Sequence, residues 1–445
     1  MSAEPLLSVD GLTKYFDPGD SVLDRLFGTE TPPVRAVDGV TFDIPEGETF
    51  GLVGESGCGK STTGQTILRL LEPTAGHAYY RGQDVDEMDG RGLNEFRRNA
   101  QIVFQDPFSS LNPRMTVGNV VREPLKIHGV GTKASRREKV QEMLQHVGLS
   151  ADHVDRYPHE FSGGQRQRIC IARALALEPD LIVLDEPVSS LDVSVQAQIL
   201  NLLNDLQAEF DLTYLFIAHD LGVVKYICDR VGVMYLGRLV ETGPTATVFD
   251  RPQHPYTEAL LESIPKSHLS GAHGDVEGLD GEVPSPRTPP AGCSFHTRCK
   301  RIIRPPGMDL GGEAFRTVMN FRYQLATDTE RFEEYLADGS TDSSDEEVAR
   351  HAADLRDAFD VGETLPDPDA ERAVDEATRA IVTGDDEGAL DRLDETFTTV
   401  CRAHAPDLVE GTSDDHHAAC FLAYEDPPAP TDDAATNGHD HGDGD

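Results

Sequence analysis

Over roughly the first 265 positions the apolar residues follow two different periods. Short, nearly unbroken apolar runs occur at Thr49–Val53, Ile102–Gln105, Leu181–Leu184 and Tyr214–Ala218, and at Arg230–Tyr235 followed by Arg238–Glu241. Runs of this length, rich in β-branched residues and bounded by turn or helix-start residues, predict strands buried on both faces. The segments between them carry apolar residues at helical spacing. Strand and helix in alternation predict an α/β domain with a largely parallel sheet over residues 1–265. Between Pro107 and Pro179 the strand runs stop and helical periodicity takes over, as in Arg136–Val147 and Gln165–Ala176. A helical subdomain over about 107–179, inserted into the sheet domain, is the expectation.

From Lys266 to Pro290 the chain turns Gly-, Ser- and Pro-rich, a linker composition. Residues 266–300 therefore lead from the first domain into a second region. Helical spacing returns at Glu330–Leu336, Glu346–Phe359 and Ala370–Ile381, so 301–400 reads as a helical segment and 401–425 as the close of the region. The end, 426–445, is rich in Pro, Asp, His and Gly and is expected to be disordered. His439 and His441 there read as solvated tail residues rather than metal ligands.

Charge changes the picture of partners. The 445 residues include 79 acidic and 39 basic side chains, a net charge of −40. That argues against non-specific nucleic-acid binding. After residue 300 there are 37 acidic and 11 basic residues, so −26 of the −40 lies there. Acidity spread through the whole chain, with only 8 lysines, points to a halophilic source where counterions screen self-repulsion. No run approaches the roughly 18 apolar residues of a membrane span. The start, Met1-Ser2-Ala3-Glu4, shows neither a basic nor an apolar leader pattern, and a cytoplasmic setting is the expectation.

Gly54-Glu55-Ser56-Gly57-Cys58-Gly59-Lys60-Ser61 fits the pattern Gly-x-x-x-x-Gly-Lys-Ser between a predicted strand and the helical run from Thr62. The glycines let successive N–H groups converge on phosphate oxygens, and the helix N-terminus adds partial positive charge. Lys60 is placed to pair with the β- and γ-phosphates of a nucleoside triphosphate, and Ser61 to ligate Mg²⁺. Cys58 fills a variable position. Downstream, the apolar strand from Leu181 ends in Asp185 and Glu186, whose side chains strand alternation would send in different directions. Asp185 would serve the metal's coordination shell, and Glu186 would polarise the attacking water.

A third element narrows the field. In Phe161-Ser162-Gly163-Gly164-Gln165, Ser162 as helix cap and the glycines beside it make a second anion site. With this motif the chain resembles the nucleotide-binding subunit of an ATP-binding-cassette (ABC) transporter. The resemblance implies a P-loop NTPase fold with a RecA-like core and an inserted helical subdomain. It also implies that Ser162, Gly163, Gly164 and Gln165 close over the nucleotide of a second subunit. Phe16 falls where an aromatic stacks on adenine, with Tyr15 as the alternative. Gln105 corresponds to the residue that senses the metal, and Asp192, in Ser189-Ser190-Leu191-Asp192, to the loop that crosses the dimer interface. His219 corresponds to the switch that contacts the γ-phosphate. All catalytic positions match, which implies a competent ATPase.

Gln105–Arg114, Gln253–Leu261, Gly281–Pro286 and Gly292–Cys299 are similar to stretches in the ATPases of dipeptide and oligopeptide importers, a subfamily that also includes nickel importers. The implied partners are a second ABC ATPase (a paralogue or a copy of itself), two membrane-spanning permeases and, indirectly, an external binding protein. The implied place is the cytoplasmic face of the membrane. A soluble ABC ATPase outside transport is the competing class. Cys293, Cys299, Cys401 and Cys420 match four closing cysteines that in some members hold an iron–sulfur cluster. Four thiolates suit a [4Fe–4S] cluster or a structural zinc, and reduced thiols without a ligand are the alternative. The chain departs from the family in the 101 residues between Cys299 and Cys401, where relatives have a short gap.

Overall fold

A computed structural model describes residues 4–17, 32–263, 281–336, 344–362, 364–411, 415–424 and 427–429. Most of the predicted linker and the tail with His439 and His441 lie outside the described residues. The chain forms two compact units, Met1–Arg251 and Pro252–Asp445. The second starts ahead of the Gly- and Pro-rich stretch because the helix Pro255–Glu262 packs within it. Its Tyr256 ring lies 5.3 Å from that of Phe295, and Glu258 pairs with Arg301 at 2.6 Å.

Among the described residues the first unit contains ten strands: β1 Leu7–Phe16, β2 Val34–Ile44, β3 Thr49–Val53, β4 Ala75–Tyr80, β5 Gln83–Asp84, β6 Ala100–Val103, β7 Leu181–Asp185, β8 Thr213–Ala218, β9 Arg230–Tyr235 and β10 Arg238–Pro244. The apolar runs form one sheet in the order β10-β9-β3-β8-β7-β6, parallel from β9 to β6, with β10 antiparallel to β9. Every residue of β3, β7 and β8 is buried, as unbroken apolar runs require. A second, antiparallel sheet, β2-β1-β4-β5, was not among the predicted elements. Its signal is alternation rather than a run: Val40, Phe42 and Ile44 are buried while Thr41 and Asp43 face water.

Between Pro107 and Leu175 the chain is helical, with helices at Val117–Ile127, Lys133–His146 and Gly163–Leu175. The last begins in a reciprocal cap. Ser162 Oγ accepts from Gln165 N at 3.4 Å and Gln165 Oε1 accepts from Ser162 N at 3.1 Å.

In the second unit, the helices Asp345–Ala358 and Pro368–Val382 lie where periodicity places them, and Gly312–Thr327 and Asp386–Thr396 are additional. The stretch expected to be helical at Glu330–Leu336 is a 3₁₀ helix rather than an α-helix, Thr329–Tyr335. Three-residue spacing sets both Phe332 and Tyr335 against Phe359, at 4.7 and 6.2 Å between ring centroids. Arg356, whose side chain is 8 % exposed, pairs with both oxygens of Glu371 at 2.9 and 2.8 Å, and Leu365 N donates to Glu371 at 2.7 Å. The Arg356 guanidinium holds the Glu371 carboxyl below its ordinary range. A depressed carboxyl stabilises the fold above its unfolded pKa, and that share is lost as pH falls through the folded value. Glu371→Gln is therefore expected to lower stability at pH 7 by about 1–3 kcal/mol. In urea titrations, the gap to wild type should close below about pH 4. A gap independent of pH would contradict this.

Candidate functional site

The loop Gly54–Gly59 leaves β3 and enters the helix Lys60–Ile67. Gly59 is left-handed at φ +105°, and a Cβ there would lie 1.9 Å from the Ala36 carbonyl oxygen. The loop can therefore take this path only with glycine at 59. Lys60 is buried, and its ammonium donates to the carbonyls of Gly54 and Glu55, each at 2.9 Å. Phosphate oxygens bound at the loop would compete with these carbonyls for its protons. Cys58 Sγ lies 3.7 Å from Lys60 Nζ, and burial pushes the Cys58 thiol up, so it is protonated at neutral pH.

Ser61, at the start of that helix, donates to Asp185 Oδ1 at 2.7 Å. Asp185 ends β7 and is 4 % exposed. Burial raises its pKa, Ser61 and Lys60 oppose the rise, and the negative charge of Glu186 adds to it. A hydroxyl and a buried carboxylate oxygen brought together in this way fit a small hard cation.

Glu186 diverges from Asp185 by a different route from the strand alternation expected. The strand ends at Asp185, and Glu186 adopts a left-handed φ of +45°, with its N–H donating to Ile217 O at 2.9 Å. Such a conformation costs a non-glycine residue about 1 kcal/mol or more. It turns the carboxylate toward two residues far away in sequence. Gln105 Nε2 donates to Glu186 Oε2 at 2.9 Å, and His219 Nδ1 lies 3.0 Å from the same oxygen. Next to a carboxylate, His219 Nδ1 is the protonated nitrogen. β6 ends at Val103, so Gln105 stands past the strand rather than on it.

Phe16 ends β1, is 39 % exposed, and has Lys14 Nζ 5.2 Å from its ring centroid. Tyr15 is engaged elsewhere. Its hydroxyl donates to Asp38 at 2.6 Å, and burial together with this bond pushes its pKa up to about 12. Sequence reasoning missed Asp38, which also pairs with Arg238 at 3.2 Å, because the partnership spans three strands.

Ser162, Gln165 and Asp192 make local hydrogen bonds. Asp192 caps the helix Val193–Phe210 by accepting from Val195 N at 3.0 Å. Gly164 has a packing reason of its own, since a Cβ there would meet Val195 Cγ1 at 2.4 Å.

The four C-terminal cysteines line one cavity in the second unit, with His254, His296 and Phe295 among its other walls. Burial pushes Cys293, Cys299 and Cys401 up. These three are thiols at neutral pH. Among the described residues, no group of three or more His, Cys, Asp or Glu is arranged to hold a metal ion. The donor set suits a soft metal in number and chemistry, while its atoms are not drawn into coordinating positions.

Residues 37–189 match the ABC transporter family, 240–303 the oligopeptide/dipeptide transporter C-terminal region, and 312–414 a domain of unknown function. The oligopeptide transport ATP-binding protein AppF of Bacillus subtilis (strain 168) is 53 % identical over 298 residues, 66 % of this chain and 89 % of that protein. The dipeptide transport ATP-binding protein DppF of Escherichia coli (strain K12) is 48 % identical over 316 residues, 70 % of this chain and 93 % of that protein. Among solved structures, cbiO1 from Clostridium perfringens, part of the ABC transporter complex cbiONQ, aligns with TM-score 0.48 and 28 % identity over 56 % of this chain and 92 % of that one. The phosphate loop, the two carboxylates at the end of β7 and relatives matched over nearly their whole length place this chain in the ATP-binding subunits of oligopeptide and dipeptide ABC importers.

Proposed function

We propose that this ATPase hydrolyses ATP at Glu186, and that dimer closure on ATP and opening after hydrolysis drive a peptide permease. The convergence of Gln105 and His219 on Glu186 Oε2, beside the Ser61–Asp185 pair, carries the reading. Lys60 would hold the β- and γ-phosphates with the loop N–H groups of Gly54, Glu55, Ser56, Gly57, Cys58 and Gly59, and Thr62 would extend this set into the helix. Phe16 would stack on adenine, since Tyr15 is held by Asp38. Mg²⁺, which the family uses with ATP, would sit at Ser61, Asp185 and Gln105 and neutralise charge on the phosphates. Glu186 would accept a proton from the attacking water, and His219 would hold the γ-phosphate.

Ser162, Gly163, Gly164 and Gln165 would complete the site of a second ATPase subunit, with Asp192 at the interface between them. Among the described residues no helix is long and apolar enough to cross a membrane. As an importer's ATPase, the subunit would sit on the cytoplasmic face against two permease subunits, with an external binding protein delivering peptide. The names of the relatives do not favour a nickel importer or a non-transport ATPase. Purification from native membranes in mild detergent and molar KCl should retain two permeases and a second cassette protein. Recovery from the soluble fraction alone would overturn the transport reading.

For the thiol cavity the reading is a [4Fe–4S] cluster or zinc held by Cys293, Cys299, Cys401 and Cys420. Loading would release protons from the buried thiols and bring the sulfurs together. Anaerobically purified protein should carry either iron and sulfide with broad visible absorption, or one zinc. Four rapidly titrating thiols with neither metal would reject it.

A further inference from the structure

The 101-residue insertion begins and ends at the thiol cavity, and its two ends are tied together there. Cys293 N donates to Cys401 O at 2.7 Å, and Thr399 Oγ1 donates to Ile303 O at 2.5 Å. Ile303 and Cys401 both line the cavity. A Cβ at Gly292, which has φ +71°, would lie 2.5 Å from the carbonyl oxygens of Cys401 and Arg402, so the two segments meet backbone to backbone.

A second tie comes from inside the insertion. Arg322, on the helix Gly312–Thr327, makes a bidentate pair with Asp394, on the helix Asp386–Thr396, both bonds at 2.8 Å. The same Asp394 carboxylate accepts from Arg402, the residue after Cys401. The Arg402 and Arg322 side chains are 16 % and 23 % exposed, and Asp394 is 31 % exposed. One carboxylate thus holds two largely buried guanidiniums side by side. Removing it leaves like charges adjacent with little solvent to screen them.

The geometry points to the insertion as the latch of the cysteine cavity, with Asp394 as the positioning residue that holds the Thr399–Arg402 segment down and keeps Cys401 turned away from solvent. The latch depends on the arrangement of the cavity wall and not on what the thiols hold. Without Asp394 the segment lifts, and the sulfur of Cys401, now 9 % exposed at the residue level, becomes open to reagents.

The test is site-resolved alkylation by N-ethylmaleimide on the full chain after chelation and reduction, read by mass spectrometry. Buried Cys170 and Cys228 of the first unit serve as internal standards. In Asp394→Ala the Cys401 rate should rise about tenfold or more relative to those standards, the change in local opening expected on losing a charge-assisted bidentate pair. Asp394→Glu should restore slow labelling, because it returns the carboxylate. Arg322→Gln leaves Asp394 beside Arg402 and should give a smaller rise, which keeps the proposal testable if Asp394→Ala does not fold. An unchanged Cys401 rate in folded protein, or an equal rise at Cys170 and Cys228, would overturn it. Metal analysis of the untreated protein decides the cluster or zinc reading separately.

Discussion

Glu186→Gln protein is expected to bind ATP as tightly as wild type and to turn it over at least about 10²-fold more slowly, the usual share of a general base. The side chains have nearly the same volume, and the amide retains one carbonyl oxygen to accept the bond from Gln105 Nε2. What disappears is the charge proposed to draw a proton from water. Lys60, Ser61 and Asp185 are untouched, so the phosphate and metal contacts proposed for them persist. Isothermal titration with ATP and a phosphate-release assay separate the two effects. Normal turnover in this variant would remove Glu186 as the base.

The second large effect is expected from one methyl group. Gly59→Ala should reduce ATP affinity at least about 10²-fold, because a side chain at this left-handed φ is strained and its Cβ meets backbone rather than a movable side chain. The Ala36 carbonyl at 1.9 Å belongs to β2 and cannot retreat without disturbing the antiparallel sheet. The loop must therefore move, and its N–H groups lose their common focus. Gly57→Ala is the control. It shares a positive φ of +82°, but nothing lies within 4 Å of its Cβ, so only the strain of about 1–2 kcal/mol applies. Its ATP affinity should fall by less than about 30-fold. Equal losses in the two variants would show that strain, and not the collision with Ala36, governs the loop.

How far the site could be read along the chain depended on whether its residues act within one local segment. The phosphate loop is local: Gly54 to Ser61 must follow a strand and open a helix, and both neighbours are visible as an apolar run and a change of period. The buried strands β3, β7 and β8 were legible for the same reason, since a strand covered on both faces needs an unbroken apolar run. The half-buried sheet β2-β1-β4-β5 was not read, although β2 alternates from Val40 to Ile44, because its other strands show weaker alternation. Preferring Phe16 to Tyr15 as the proposed adenine contact needed Asp38, which comes from a neighbouring strand.

By itself the amino-acid sequence determined the chemistry available to this protein: a phosphate-cradling loop, a carboxylate pair closing a buried strand, four cysteines from Cys293 onward and an acidic helical insertion between two of them. Those features need only short-range spacing and composition, which a linear chain carries in full. The tertiary structure alone decided which of these groups meet. Gln105, Glu186 and His219 converge because parallel strands bring their C-terminal ends to one edge of the sheet. Cys293 meets Cys401 because the insertion folds on itself and returns its ends to one place, a closure whose entropic cost rises only slowly with loop length. Asp394 gained a partner at Arg402 by the same folding, and no spacing along the chain announces that contact.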